Sequence, residues 1–227
     1  YTYTMILIDS QKYKLSPAVN IVMQKAINPF LYSSMEKKKI EMVPYVNVFG
    51  DDPSKGMAAF YESPRFASGY AALFHSFPFV TETHMLKPFS QRVDATYEFL
   101  LSSMEVADKF INEIIISRIK SKAASVSQDK FYLNWQLDTT HVDSLLFKGY
   151  DIDTKKSEIT GKERIVFNHN KAYSRNIPFA SNYLPSDSIV KPRAYIIPQA
   201  WQEVIERLQL NGIDMQELKS DSVVKAE

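Results

Sequence analysis

Apolar and polar residues alternate with two different periods along the chain, and these periods predict both strands and helices. The segment 1–8 alternates tyrosine and threonine with aliphatic residues, which is typical of a strand. Ser16 and Pro17 have the residue types preferred at the N-cap and the first position of a helix. The apolar residues that follow have the spacing of one buried helical face: Val19, Val22, Met23, Ala26 and Ile27.

The strongest periodic signal lies in the middle of the chain. Further strands are predicted at 43–49 and 77–84. Between them lie a polar loop at 50–56 and a short helix at 68–75. A helix of about 30 residues then begins at the N-cap Ser90, and we expect it to pack one apolar stripe against a sheet. The stripe consists of Val93, Tyr97, Leu100, Leu101, Met104, Phe110, Ile111, Ile114 and Ile115.

Short strand-like segments between polar turns replace this pattern after residue 125. We therefore predict a domain boundary near residue 126, which divides the chain into parts 1–125 and 126–227. The second part is expected to be a small α+β domain. Its predicted elements are strands at 131–137, 144–150, 164–168 and 193–197 and a helix from Pro198 to Leu208.

The composition excludes several classes of site and partner. The 27 basic and 26 acidic residues leave a net charge of +1, so no excess charge suggests a nucleic-acid partner. The absence of cysteine excludes disulfides, cysteine-ligated zinc and thiol nucleophiles. No apolar run reaches the roughly 18 residues that a membrane span requires, so none is expected. With 45% hydrophobic residues, the chain can bury a sizeable core.

Glu82 and His84 end an otherwise apolar predicted strand and are the strongest candidates for chemistry. Because they lie two residues apart, their side chains point to the same face of the strand. In open α/β sheets, ligands bind outside the carboxyl ends of the strands. A glutamate in apolar surroundings can also act as a general base. An ordinary polar strand end is the alternative interpretation of this pair.

Two segments near these residues resemble a known family. Residues 63–74 read SPRFASGYAALF and residues 79–88 read FVTETHMLKP. Both are similar to the C-terminal section of bacterial M14-type zinc carboxypeptidases, and the resemblance extends over 1–125. It implies an α/β fold in which this part forms the C-terminal portion of a mixed sheet flanked by helices. It also implies that the strand with the catalytic glutamate leads into a long closing helix, and that 126–227 form an accessory domain.

The resemblance further implies a zinc-dependent metallocarboxypeptidase that hydrolyses peptides, cell-wall peptides among them. In this interpretation zinc belongs to the full-length parent protein, and Glu82 accepts a proton from the attacking water. The substrate-binding residues implied by the resemblance are Tyr61, in the loop before the catalytic strand, Arg65 and His84.

The zinc ligands of that family are missing from this sequence. The family binds zinc through a His-x-x-Glu pair and a later histidine, but no histidine here is followed three residues later by a glutamate. Because a catalytic zinc needs about three protein ligands, we expect neither zinc binding nor hydrolysis from this chain alone. The histidines are His75, His84, His141 and His169.

A non-catalytic protein is the alternative function: a degenerate peptidase that serves as a peptide- or carbohydrate-binding module. The chain begins without methionine in strand-like sequence, so we expect a fragment of a longer protein. A partial sheet would expose apolar edges, which predicts self-association or an upstream companion fragment. The resemblance places the parent protein in the periplasm or outside the cell.

Overall fold

A computed structural model of the chain describes residues 2–10, 13–220, 222–223 and 225. The chain divides into two compact units, 1–189 and 190–227. The α/β class expected from the sequence is confirmed, because mixed and antiparallel sheets are flanked by helices. In chain order the elements are β1 (Met5–Asp9), α1 (Pro17–Val22), a π-helical turn (Met23–Ile27), α2 (Asn28–Lys37), β2 (Met42–Pro44), β3 (Asn47–Val48), a 3₁₀ turn (Pro53–Lys55), β4 (Met57–Ala58), α3 (Ala67–Ala72), β5 (Phe79–Thr83), α4 (Phe89–Lys109), α5 (Ile111–Ser127), β6 (Lys130–Leu137), β7 (Asp143–Lys156), β8 (Glu163–Ala180), β9 (Tyr183–Val190) and α6 (Gln202–Leu210).

The first sheet has three strands in the order β2-β1-β5. β1 is parallel to β2, with Met5 opposite Met42, and antiparallel to β5, with Met5 opposite Thr83. The predicted first strand is confirmed within residues 2–10, while Tyr1 lies outside the described residues. β1 is an apolar run because both of its faces are buried, as expected of a central strand in a covered sheet.

Each face of the first sheet has its own apolar cluster. Met5 and Leu7 pack with residues of the helices on one face, including Leu31 and Phe99. On the other face, Ile6 belongs to a cluster with strand residues of the second sheet. The members of this second cluster are Tyr3, Ile6, Val43, Met57, Phe147 and Ile177. The helices therefore cover one face of the first sheet and the long strands cover the other.

The helix predicted from Ser16 forms, but it widens in its middle. The turn Met23–Ile27 is π-helical, with the Asn28 amide donating to the Met23 carbonyl. Pro29 explains this turn, because proline has no amide hydrogen to donate and its ring clashes with the preceding turn of a regular helix. The helix therefore continues past Pro29 to Lys37 with a local insertion.

The second sheet has four strands in the order β3-β4-β8-β7. β7 and β8 form a long antiparallel hairpin, and the end of β8 is parallel to β4, with Ala180 opposite Ala58. A separate two-stranded sheet pairs β6 with β9. The second sheet therefore joins residues on both sides of the boundary expected near residue 126, which lies inside the first compact unit.

The long predicted helix is two helices with a break at Phe110, where the backbone leaves helical geometry. The predicted packing of its apolar stripe against a sheet is wrong for most of α4. The buried face of α4 is formed by Ala95, Phe99, Ser102 and Val106. The stripe residues Val93, Tyr97, Leu100 and Met104 are exposed on the other side.

The second compact unit contains α6, which confirms the helix predicted after Pro198. The strand predicted at 193–197 is wrong, because this segment has no regular structure. The preceding strand, β9, was not predicted, because its polar residues interrupt the alternation expected of a strand.

Candidate functional site

Glu82 lies in β5, and His84 directly follows the end of this strand. Glu82 is exposed and stands directly opposite Ile6 of β1. His84 is partly buried, its Nδ1 accepts a hydrogen bond from the Leu86 amide at 3.1 Å, and its own amide donates to the Thr4 carbonyl. Burial lowers the pKa of His84, and the nearby Lys87 ammonium lowers this pKa further. The imidazole is therefore neutral near pH 7 and acts as an acceptor at Nδ1.

The direction of β5 places these two residues away from the carboxyl ends of the parallel strands. β5 is antiparallel to β1, so the end of β5 meets the beginning of β1. Glu82 is opposite Ile6, three residues before Asp9 at the end of β1, which is roughly 10 Å along the strand. The expected position at the carboxyl edge of the parallel strands is therefore wrong for Glu82.

Tyr61 takes part in packing around a buried ion pair. Its ring centroid lies 5.3 Å from that of Tyr183 and 5.4 Å from Lys14 Nζ. Burial and the neighbouring charge of Glu62 raise the pKa of the Tyr61 hydroxyl, and the Trp135 backbone opposes this. Tyr61 therefore lies with these residues, away from the β5 edge that bears Glu82.

Glu62, the neighbour of Tyr61, was not predicted from the sequence. Its side chain is fully buried and its Oε1 lies 3.5 Å from Lys14 Nζ, which also donates to the Glu62 carbonyl oxygen. Arg65, the next predicted substrate contact, is exposed just before α3. Gly69 of α3 lies against the backbone of Glu62 and Ser63 so closely that a Cβ atom would collide with it. The missed signal was this glycine, which permits close packing of a helix on the loop.

The described residues do not fit the zinc site of the carboxypeptidase family. Within the described ranges, no group of three or more histidine, cysteine, aspartate or glutamate side chains is arranged to hold a metal ion. His75 hydrogen-bonds to Ser125 and His141 to Asp138, so both imidazoles contact protein side chains. His169 stacks on Tyr150 with ring centroids 4.7 Å apart.

An open cleft of about 420 Å³ lies where β1 ends. His84 lies near the start of β1, at the other end of the first sheet. It is formed where the parallel strands β1 and β2 end and where the parallel strands β4 and β8 end. The last residues of these strands and the residues just after them line it: Asp9 and Ser10, Pro44 and Tyr45, Ala59 and Phe60, and Phe179 and Ser181. Four strand ends at one opening are the usual place for a ligand in α/β proteins.

The helix beside the cleft orients the carboxylate of Asp9. Gln24 Nε2 donates to Asp9 Oδ2 at 3.2 Å, and Asn28 Nδ2 donates to the same oxygen at 2.5 Å. These two donors lie four residues apart on one helical face, within and just after the π-helical turn. Such turns occur often at functional sites. Burial, with the charge of Asp9, raises the pKa of Tyr32, so the Tyr32 hydroxyl at the same wall stays protonated.

Two polar atoms at the cleft have no hydrogen-bond partner among the described residues. They are the hydroxyl of Ser10, a residue with 0% exposure, and Oδ1 of Asn28. Unpaired buried polar atoms are costly and therefore uncommon in folded proteins. The sequence carried one signal for this site, since Asp9 and Ser10 directly follow an apolar strand. Its remaining residues come from distant parts of the chain.

Comparisons with known proteins found no relative of this chain: no family model matches it, and searches of curated proteins and of solved structures returned no match.

Proposed function

We propose that this chain is part of a metallocarboxypeptidase-like peptide hydrolase, with residues 1–125 as the C-terminal part of the catalytic domain. One observation carries the proposal: the strand that bears Glu82 is followed, after one turn, by the long helix α4, in the order that the sequence resemblance implies. Glu82 is also exposed, so that water and a peptide have access to its carboxylate. Residues 126–227 are proposed to be the accessory part.

The role of Glu82 in this proposal is that of a general base. It accepts a proton from the water that attacks the peptide carbonyl and returns it to the leaving amine. His84 lies two residues after Glu82, where its imidazole would hydrogen-bond to the substrate, and Arg65 would bind a carboxylate. Zinc in such an enzyme requires ligands outside the described residues, because these do not fit the site.

The proposal includes a partner for the exposed surface of the catalytic part. β5 is an edge strand, and α4 exposes the apolar stripe described above. Apolar surfaces of this kind mark protein contacts. We propose that a second copy of the chain or an upstream companion segment covers them.

In the part of the chain that the structure describes, no helix is long and apolar enough to cross a membrane. A periplasmic or secreted location stays a proposal from the resemblance.

The alternative function is a peptide- or carbohydrate-binding module without catalysis. The cleft at the four strand ends favours this alternative, because it contains unpaired polar atoms and lies away from Glu82. A hydrolase and a binding module therefore predict different consequences when Glu82 is changed.

The test compares Glu82→Gln with Glu113→Gln, which removes an exposed carboxylate from α5. Release of C-terminal residues from peptides is measured for this chain and for a chain extended upstream, together with zinc by elemental analysis. We expect zinc and hydrolysis in the extended chain, and a loss of at least about 100-fold in rate for Glu82→Gln with zinc retained. Full activity of Glu82→Gln would refute the catalytic role. No zinc and no hydrolysis in either chain would favour the binding module.

A further inference from the structure

An exposed line of side chains runs along one side of α4 and α5, and we call it the outer line. Its six apolar members are 47–67% exposed, and two exposed basic residues continue it. The members are Val93, Tyr97, Leu100, Met104, Ile111, Ile115, Arg118 and Lys122. Successive members lie three, four or seven residues apart, which places them on one side of a helix. Proteins seldom leave an apolar surface of this length uncovered.

The break at Phe110 leaves the outer line continuous, because α4 and α5 keep one common inner side. This side packs against α2 and α1, whose contact residues fall in number as α4 and α5 advance. Ser102 Oγ lies 2.9 Å from Ser34 Oγ, the ring centroid of Phe110 lies 5.7 Å from that of Phe30, and the hydroxyls of Ser121 and Ser16 are hydrogen-bonded. The two helices therefore run antiparallel to α2 and α1, and the outer line faces away from them.

The spacing of the outer line reads the same in both directions. From its first to its last member the steps are four, three, four, seven, four, three and four residues. A twofold axis that crosses the helices just after Ala107 therefore places every member opposite a member of a second copy. The central pairs of this arrangement are apolar on both sides: Leu100 with Ile115 and Met104 with Ile111.

The end pairs of the arrangement are also compatible. Arg118 would lie against Tyr97 of the second copy, and arginine binds aromatic faces through cation–π contacts. Lys122 would lie against Val93 of the second copy, where its aliphatic stem can pack. Asp94 follows Val93 and is exposed, so its carboxylate can pair with the lysine ammonium.

The charges of the helices favour antiparallel over parallel pairing. α5 has three basic residues and one acidic residue, whereas α4 has two basic and four acidic ones. Ion pairs of Lys38 with Glu98 and Glu105, and the position of Lys39 beside Asp94, offset negative charge of α4 but leave α5 the more basic helix. Parallel pairing would bring the two basic α5 helices together, and such like charges oppose binding. Antiparallel pairing avoids this by placing α5 against α4.

We infer that α4 and α5 form an antiparallel, twofold contact with the same helices of a second copy. The apolar members of the outer line expose on the order of 700 Å² per copy, close to the roughly 800 Å² that each partner buries in a standard interface. The inference rests on the partner surface included in the proposed function and narrows it to one occupant. It does not depend on the catalytic role of Glu82, which lies in β5.

Sedimentation equilibrium of the full chain measures the association. We expect a reversible dimer of 26.1-kDa copies, with a dissociation constant of about 10 μM or lower. Met104→Glu, near the centre of the outer line, should raise this constant at least about 10-fold. The matched control Ile159→Glu also replaces an exposed apolar residue, in a turn outside the line, and should leave the constant unchanged. Because both side chains are exposed, both variants should melt like the unchanged protein.

Disulfide cross-linking tests the antiparallel direction, since the chain contains no cysteine. An equal mixture of Leu100→Cys and Ile115→Cys should form disulfide-linked dimers that join one variant to the other. Leu100→Cys alone should not, because the two copies of this residue lie about 22 Å apart along the antiparallel helices, and a disulfide requires Cα atoms within about 7 Å. Ile159→Cys in place of Ile115→Cys is the control for random collisions.

Three results would overturn the inference. The first is a chain that stays monomeric at every concentration. The second is a disulfide of Leu100→Cys with itself but none with Ile115→Cys, which would show parallel pairing. The third is a monomeric, upstream-extended chain in which Leu100→Cys resists a thiol reagent, which would identify the companion segment as the occupant. If that extended chain still lost hydrolysis on Glu82→Gln, the hydrolase proposal would stand without the dimer.

Discussion

The buried pair of Lys14 and Glu62 leads to a strong prediction for Glu62→Gln. The Glu62 side chain is 0% exposed and that of Lys14 is 5% exposed, with Nζ 3.5 Å from Oε1. Burial lowers the pKa of Lys14, and the charge of Glu62 acts in the opposite direction. Replacing the carboxylate by an amide removes this opposing charge and leaves a buried ammonium without its counter-ion. Breaking a buried ion pair in this way costs about 3–5 kcal/mol.

The assay is urea unfolding at several pH values, followed by tryptophan fluorescence. We expect Glu62→Gln to lose about 3–5 kcal/mol of unfolding free energy at pH 7, a large part of the 5–15 kcal/mol typical of a folded domain. Because the folded-state pKa of Lys14 lies below its unfolded value, the unfolded chain binds more protons between these two values. The stability of the variant should therefore rise as the pH increases through this window towards about 10.5.

The double variant Lys14→Met with Glu62→Leu is the matched control, because it removes both charges and keeps apolar volume. It should regain most of the lost stability, to within about 2 kcal/mol of the unchanged protein. The reasoning is refuted if Glu62→Gln unfolds with the same free energy as the unchanged protein. It is also refuted if the loss in the single variant does not depend on pH.

Three other features of the structure lead to direct tests. Gly69→Ala should lower the unfolding free energy, measured by urea unfolding, by about 3 kcal/mol, because the added Cβ would collide with the backbone of the preceding loop. An unchanged midpoint of the urea unfolding transition would contradict this contact. The hydrogen bonds from Thr140 and His141 lower the pKa of Asp138 to about 2, so its contribution to stability is present above pH 3.8 and lost as the pH falls towards 2. Asp138→Asn should therefore show a smaller fall in melting temperature between pH 5 and pH 2 than the unchanged protein, and an equal fall would argue against this assignment. Leu100→Glu, on the exposed stripe of α4, should reduce any self-association that light scattering detects. Its control, Thr160→Glu in an exposed turn, should not. Equal oligomer fractions in the two variants would exclude the stripe as the contact.

Local patterns accounted for most helices and several strands. The N-cap and proline signals at Ser16 and Pro17 located the first helix, and periodicity located β1, β5 and α4. These elements were predictable because side-chain spacing and capping act within a few residues. The break at Phe110 was not predicted, because helical periodicity continues across it. Asn28 and Pro29 indicated an interruption of the first helix, but not that it would be a π-helical turn through which the helix continues.

For the candidate site, too, some features were predictable from the sequence and others were not. From the sequence, Glu82 and His84 were expected at the end of a strand, and the structure has Glu82 in β5 with His84 directly after it. The position of this strand end was not predictable, because the antiparallel direction of β5 depends on pairing with β1, more than 70 residues away. Tyr61 could be named as a loop aromatic, but its packing with Tyr183 joins distant segments.

The sequence by itself determined the kinds of elements and the positions of polar residues after apolar strands, since both depend on local spacing, and the α/β class was what its resemblance to a family implied. Only the tertiary structure decided which strands are parallel, which face of α4 is buried, and that Asp9 shares a cleft with Asp143 and Ser181. The physical reason is that strand pairing and burial depend on contacts between residues far apart in the chain. The free energies of these contacts cannot be inferred from a local sequence pattern.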